Sequence, residues 1–111
     1  MEAIIAALEA EGGDWAGATR ETLLRCSPTS LKVSFRQLRE GAALEFDQAM
    51  TMEYRLSQAC VAGHDFLEGI RAAVIDKDRK PVWQPASLGE VSDDLVDRHF
   101  APLGERDLVF D

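Results

Sequence analysis

Stop and start signals recur along this chain at intervals that leave room for helices and little else. Gly12-Gly13 ends an Ala-, Ile- and Leu-rich opening segment, Glu2 to Glu11, in which Ile4, Ile5 and Leu8 share one helical face. Asp14 is placed to cap a second helix that ends near Arg25 and carries Trp15, Ala18, Thr22 and Leu23 on one side. Ser27-Pro28 restarts the chain. The serine oxygen accepts from free backbone donors, and proline is tolerated at the first helical position because the N–H it lacks would be unpaired there. The third helix is expected from Pro28 to about Glu40. Leu31, Phe35 and Leu38 form its apolar stripe, Lys32, Arg36 and Arg39 lie on another face, and Gly41 serves as a left-handed stop.

The longest helix should start near Glu45 and reach Ala62, with Gly63 closing it. Phe46, Ala49, Leu56 and Cys60 form one stripe, and Met50, Tyr54 and Val61 flank it, so the helix should be touched on more than one side. Glu53 lies on the seam and reads as a rim position. Asp65 then caps a further helix, and Glu68, three residues on, completes a capping-box pair. Phe66, Ile70, Ala73 and Val74 are expected to face inward. Gly69 costs this helix about 1 kcal/mol relative to alanine, which points to close approach of another helix. Pro81, Trp83 and Pro85 make an extended stretch that cannot be helical. Ser92 caps a last short helix, with Asp93 and Asp94 near its positive end and Leu95, Val96 and Phe100 on its apolar side. Pro102 to Asp111 should be irregular, although Leu108-Val109-Phe110 has the composition to join a sheet edge. The expectation is an all-α fold of five or six short helices in a single domain, 1–111.

Composition narrows the function. With 46% apolar residues in 111, the chain can bury a modest core. A net charge of −8 disfavours nucleic acid and anionic membranes as partners. No apolar run is long enough to span a bilayer, and the first residues lack the basic region and apolar stretch of a signal peptide. Cys26 and Cys60 form no CxxC pair and read as reduced thiols, which suggests the cytoplasm. His64 and His99 have no metal-type spacing, so no metal site is expected. No catalytic constellation stands by itself. Cys60 lies on an apolar stripe rather than poised beside His64, and the paired acids Asp93/Asp94 and Glu9/Glu11 read as solvated surface. Lys77, Arg79 and Lys80 make a small basic cluster, either a solvated turn or an anion contact such as a nucleotide phosphate. Trp83 beside it either stacks on a flat ring or anchors the proline stretch.

Four stretches, taken in order, resemble the 3-hydroxyisobutyryl-CoA hydrolase family, a branch of the crotonase (enoyl-CoA hydratase/isomerase) superfamily. They are Ser27 to Val33 with Arg36 to Gly41, then Met52 to Gln58, then Gly63 to Asp78, and finally Trp83-x-Pro85 with Leu103 to Leu108. Together they cover most of the chain from Trp15 onward. The resemblance implies a spiral αβ core followed by a helical C-terminal region, and only the latter is recognisable here. In the family the core supplies the oxyanion hole and the catalytic carboxylates. The chain is therefore expected to be the helical lid and assembly domain of an enzyme that hydrolyses a 3-hydroxyacyl-CoA in valine degradation, or of a related hydratase/isomerase. It should be inactive alone, with no catalytic residue of its own. No cofactor is implied, since the parent takes a CoA thioester as substrate. The implied partners are the missing core, a further copy of the chain in a homo-oligomer, and acyl-CoA only when the core is present. Lys77 and Arg79 are implied as CoA-side contacts and Phe66 as acyl-pocket side, with Ser27, Asp65 and Glu68 structural. A eukaryotic source would place the protein in the mitochondrial matrix. Met1 sits inside what should already be a helix, which suggests a truncated chain. The alternative is a standalone helical interaction or oligomerisation protein derived from such a domain.

Overall fold

The computed structural model describes residues 1–110, so Asp111, which closes the tail expected to be irregular, lies outside the described residues. Six α-helices follow one another: α1 (Glu2–Glu11), α2 (Gly13–Arg25), α3 (Pro28–Gly41), α4 (Phe46–Ala62), α5 (His64–Ile70) and α6 (Asp93–Phe100). A π-turn, Arg71–Ile75, extends α5, and short 3-10 turns lie at Leu88–Glu90 and Gly104–Arg106. Among the described residues there is no strand, so the fold is all-α, and Leu108-Val109-Phe110 joins no sheet.

Local chemistry explains most boundaries. Gly12 and Gly13 take φ of 68° and 87°, the left-handed region where a side chain is strained, and this lets α2 fold back against α1. Ser27 Oγ accepts the Ser30 N–H at 3.2 Å, and Pro28 opens α3. Glu45 N–H donates to Gln48 Oε1 at the start of α4, and Ser92 Oγ accepts Leu95 N–H at the start of α6. Pro81 to Pro85 is non-helical as expected.

Three expected caps are corrected. Asp14 lies inside the first turn of α2, whose N-cap is Gly12. Gly41 is the last residue of α3, and the exit at Ala42 is right-handed, closed by Ala43 N–H on the Glu40 carbonyl. At α5 the N-cap is Gly63, and neither Asp65 nor Glu68 caps the helix: Ser27 and the Gln84 N–H claim the first carboxylate, and Arg71 with the Val82 N–H claims the second.

The core sits where α3, α4 and α6 meet. Val33, Met52, Leu56, Val91 and Val96 are buried there, with Leu44, Leu95 and Phe100 packed against them. Leu56 and Val96 lie on expected stripes. On α3, however, the hydrophobic core residue is Val33, buried along with Pro28 and Thr29, while Leu38 is exposed, and on α4 Met52 is buried while Phe46 is exposed. Glu53 lies at the rim, where Gln37 Nε2 donates to its carboxylate at 3.0 Å. Between α1 and α3, Lys32 Nζ bridges Glu2 at 2.8 Å and the Val91 carbonyl at 3.1 Å.

The molecule is open for its size. Its radius of gyration is 15.7 Å, against about 13 Å for a compact chain of this length. Its accessible surface is 7669 Å², where a folded monomer of this mass shows about 6,100 Å².

Candidate functional site

Three features converge on α5. The first is a cavity of about 380 Å³ where the start of α3, the ends of α4 and α6, and the proline stretch meet. Asp65 is its organising group. Ser27 Oγ donates to Asp65 Oδ2 at 2.5 Å, while His64 Nδ1 and the Gln84 backbone N–H donate to Oδ1 at 2.8 and 2.9 Å. The carboxylate is thus fully engaged and joins three segments. Ser27 Oγ is thus held between the Asp65 carboxylate and the Ser30 N–H that it caps. Cys60 also lines the cavity, and burial pushes its thiol pKa up, which favours the protonated form. Among the described residues no group of three or more His, Cys, Asp or Glu is arranged to hold a metal ion.

The second feature is the guanidinium of Arg71. Its Nε and Nη2 donate to the two oxygens of Glu68 at 2.6 and 2.9 Å. Its Nη1 donates to Asp76 at 2.9 Å and to Asp78 at 2.8 Å, and Nη2 reaches the Lys80 carbonyl at 3.3 Å. Glu68 also accepts the Val82 N–H at 2.7 Å. The hydrogen bonds from Arg71, joined by the Val82 N–H, hold the Glu68 carboxyl down at about 2. The same carboxylates push the Arg71 pKa upward. Arg71 thereby shapes the exit loop that carries Lys77 and Arg79.

The third feature is an apolar face turned outward. Phe66, Leu67, Ile70, Val74 and Ile75 are all exposed, and Ala73 with them. The inward orientation expected for Phe66, Ile70, Ala73 and Val74 is therefore corrected. Periodicity marked an apolar stripe, but none of the other described residues covers it. Gly69 does meet a close neighbour, but it is the Trp83 ring and not another helix: a Cβ there would lie 3.5 Å from Trp83 Cη2. Trp83 anchors the proline stretch by donating its indole N–H to the Arg25 carbonyl at 2.9 Å.

The residues singled out from sequence fall in different places. Phe66 lines the cavity and is half exposed. Lys77 and Arg79 are exposed on the loop, both with left-handed φ, 56° and 55°. Arg79 borders a groove against Trp83, and Lys77 does not. Ser27 caps α3 as expected, while Asp65 and Glu68 are structural without being caps. Arg71 was missed, although its spacing from Glu68 (i, i+3) and the nearby Asp76 and Asp78 signalled an ion-pair hub.

Residues 1–100 match a family described as Enoyl-CoA hydratase/isomerase. The chain is 55% identical over 108 residues to the mitochondrial 3-hydroxyisobutyryl-CoA hydrolase of Gallus gallus, covering 97% of this chain and 28% of that protein. It is 48% identical over 110 residues to the Homo sapiens protein of the same name, covering 99% of this chain and 28% of that one. A solved carnitinyl-CoA dehydratase from Mycobacterium thermoresistibile superposes with a TM-score of 0.88 at 36% identity, over 96% of this chain and 30% of that one. An enoyl-CoA hydratase from Rhodobacter sphaeroides superposes with a TM-score of 0.87 at 37% identity, over 96% and 32%. The chain thus spans 28% of the length of these hydrolase relatives.

Proposed function

The chain belongs to the enoyl-CoA hydratase/isomerase family, and from that premise we propose that it is the C-terminal helical lid and assembly region of a 3-hydroxyisobutyryl-CoA hydrolase-type enzyme. The observation that carries this reading is the bare apolar face of α5 and its π-turn. Full burial of a Leu, Ile, Val or Phe side chain is worth about 1.5–3 kcal/mol, and here Leu67, Val74 and Ile75 each remain more than half exposed. The accessible surface exceeds that of a compact monomer by roughly 1,500 Å², more than one partner gives up in a standard interface. The relatives' names describe proteins over three times this length. An αβ core is therefore the partner best suited to cover the face.

In this reading the core binds the thioester carbonyl in an oxyanion hole, and the helices exclude water and hold the substrate. Phe66 flanks the acyl group, and Lys77 and Arg79 lie on the coenzyme side. Ser27, Asp65 and Glu68 keep the frame in which those side chains are presented. The helices contribute no nucleophile or base, so the chain alone turns over no thioester. The relatives' names support a mitochondrial setting, and a step of valine degradation is the place the resemblance implies for it.

Complementation tests the reading. A Gallus gallus relative lacking its matching segment, mixed with this chain at high micromolar concentration, should regain hydrolysis of 3-hydroxyisobutyryl-CoA. A Leu67→Asp chain should not restore it. Failure of the two pieces to associate, or thioester turnover by the chain alone, would overturn the proposal. Self-association through the same face without any binding to the core would favour the standalone oligomerisation protein.

A further inference from the structure

Beyond the last 3-10 turn the chain forms a short arm that is fixed at its base and uncovered along its length. Arg55, in the middle of α4, holds both oxygens of the Asp107 carboxylate, so the point of departure is set on the helical body. Asp107 is extended, with φ −62° and ψ 151°, and Leu108, Val109 and Phe110 form neither helix nor turn. Val109 is 80% exposed and Phe110 43%. No backbone N–H or C=O of these three residues is hydrogen-bonded to another described residue.

Two demands coincide in this arm. Its β-branched and aromatic side chains are stabilised by being covered. Covering them also takes the backbone out of water, and a buried N–H or C=O without a partner is costly. The bare face of α5 makes no such second demand, because a helix satisfies its own backbone, and any apolar surface of the right shape serves it. A helix flank cannot serve the arm, since its N–H and C=O groups are already paired along the axis. A sheet edge serves it fully: the edge offers a row of free donors and acceptors, and alternate side chains find cover on its two faces. Among the described residues there is no strand, so the edge belongs to a strand-bearing partner.

We propose that Leu108, Val109 and Phe110 are a β-augmenting arm, which adds as a short strand to an open sheet edge of the αβ core, with the Arg55 and Asp107 pair aiming it. This rests on the reading that such a core is the partner of the helices. It goes further by assigning the partner a property that the apolar face does not require, an unpaired strand within reach of Asp107.

The test mixes this chain with the Gallus gallus relative that lacks its matching segment and follows amide exchange and affinity together. Amides of the arm should exchange freely in the chain alone and slow down in the complex. Proline at successive positions then reads the pairing. An edge strand turns successive N–H groups to opposite sides, so of Leu108→Pro and Val109→Pro one removes a pairing donor and the other a solvent-facing one. One should weaken binding by roughly tenfold and the other little. Proline at 108 suits the backbone of Asp107, whose ψ of 151° is the one favoured before proline. Val109→Ala, which keeps every N–H, should bind more tightly than the damaging proline variant. Slow exchange at Met52 and Leu56 reports that the fold is kept. Equal binding by the two proline variants, or arm amides that exchange as fast in the complex as in the free chain, overturns the strand pairing and leaves the lid reading standing. Failure of the unaltered chain to bind the core overturns both.

Discussion

Arg55 grips Asp107 with two parallel hydrogen bonds, Nε to Oδ1 at 2.9 Å and Nη2 to Oδ2 at 2.8 Å. The pair ties the middle of α4 to a tail 52 residues further on, and Arg55 is the main cause of the lowered Asp107 pKa. Arg55→Met should therefore release the Gly104–Arg106 turn without unfolding the core. Amide exchange should accelerate at Arg106 and Asp107, whose N–H groups donate to the Leu103 and Gly104 carbonyls, and stay slow at Met52 and Leu56. Unaltered exchange in the tail would show that the turn holds itself.

Acid should loosen the molecule in a defined window. Glu68 has an ordinary pKa of 4.5 and a folded value of about 2, lowered first by Arg71 and then by the Val82 N–H. A depressed carboxylate contributes stability that is fully present above the unfolded pKa and lost as pH falls toward the folded one. Asp78 and Asp107 are shifted in the same direction, each first by its arginine. The urea midpoint should fall between pH 4.5 and about 2, and Glu68→Gln should make that fall shallower. Parallel profiles for the two chains would remove Glu68 from the account.

Core and face should respond oppositely to truncation. Leu56 is buried among Val33, Met52 and Val96, so Leu56→Ala should cost about 3 kcal/mol in urea denaturation. Leu67 is 61% exposed, and Leu67→Ala should change stability by no more than about 0.5 kcal/mol. Similar losses for both would mean that the face is already covered in solution.

Gly69 can be tested by filling it. A Cβ there would make ordinary van der Waals contact with Trp83 at 3.5 Å, so alanine fits without displacing the ring. Gly69→Ala should then stabilise the chain by about 0.5–1 kcal/mol, the cost of glycine within a helix. Gly69→Leu should push the ring away and weaken the bond from the Trp83 indole to Arg25, visible in the indole NMR signal. A destabilising alanine would show that the Trp83 ring cannot accommodate the added methyl.

The helices were legible in the amino acids because caps and breakers act locally. Ser27, Ser92 and Gly12-Gly13 each do what their chemistry dictates within a few residues. Asp65 and Glu68 misled for the complementary reason. Their spacing is that of a capping box, but Ser27, 38 residues away, takes Asp65, and Arg71 together with the Val82 N–H takes Glu68. Side-chain direction was the other limit. The stripe through Phe66, Ile70 and Val74 has the period of a buried helix face, and periodicity does not reveal which body covers it. The α3 and α4 faces turned for a related reason: Val33 and Met52 pack with Val91 and with Val96 of α6, partners far along the chain. The basic cluster at Lys77 and Arg79 was visible, whereas the hub that shapes it needed the loop to close back on Arg71.

The two tryptophans differ in a useful way. Trp15 is 69% exposed, while the Trp83 indole is bonded to Arg25 and its ring lies on Gly69. Trp15 should therefore change its emission little on unfolding. Any blue-shifted fluorescence belongs to Trp83, and its decay after a denaturant jump clocks the moment when the proline strap lifts away from α2 and α5. The protein thus carries its own optical gauge at the seam, and no dye or label is needed to follow it.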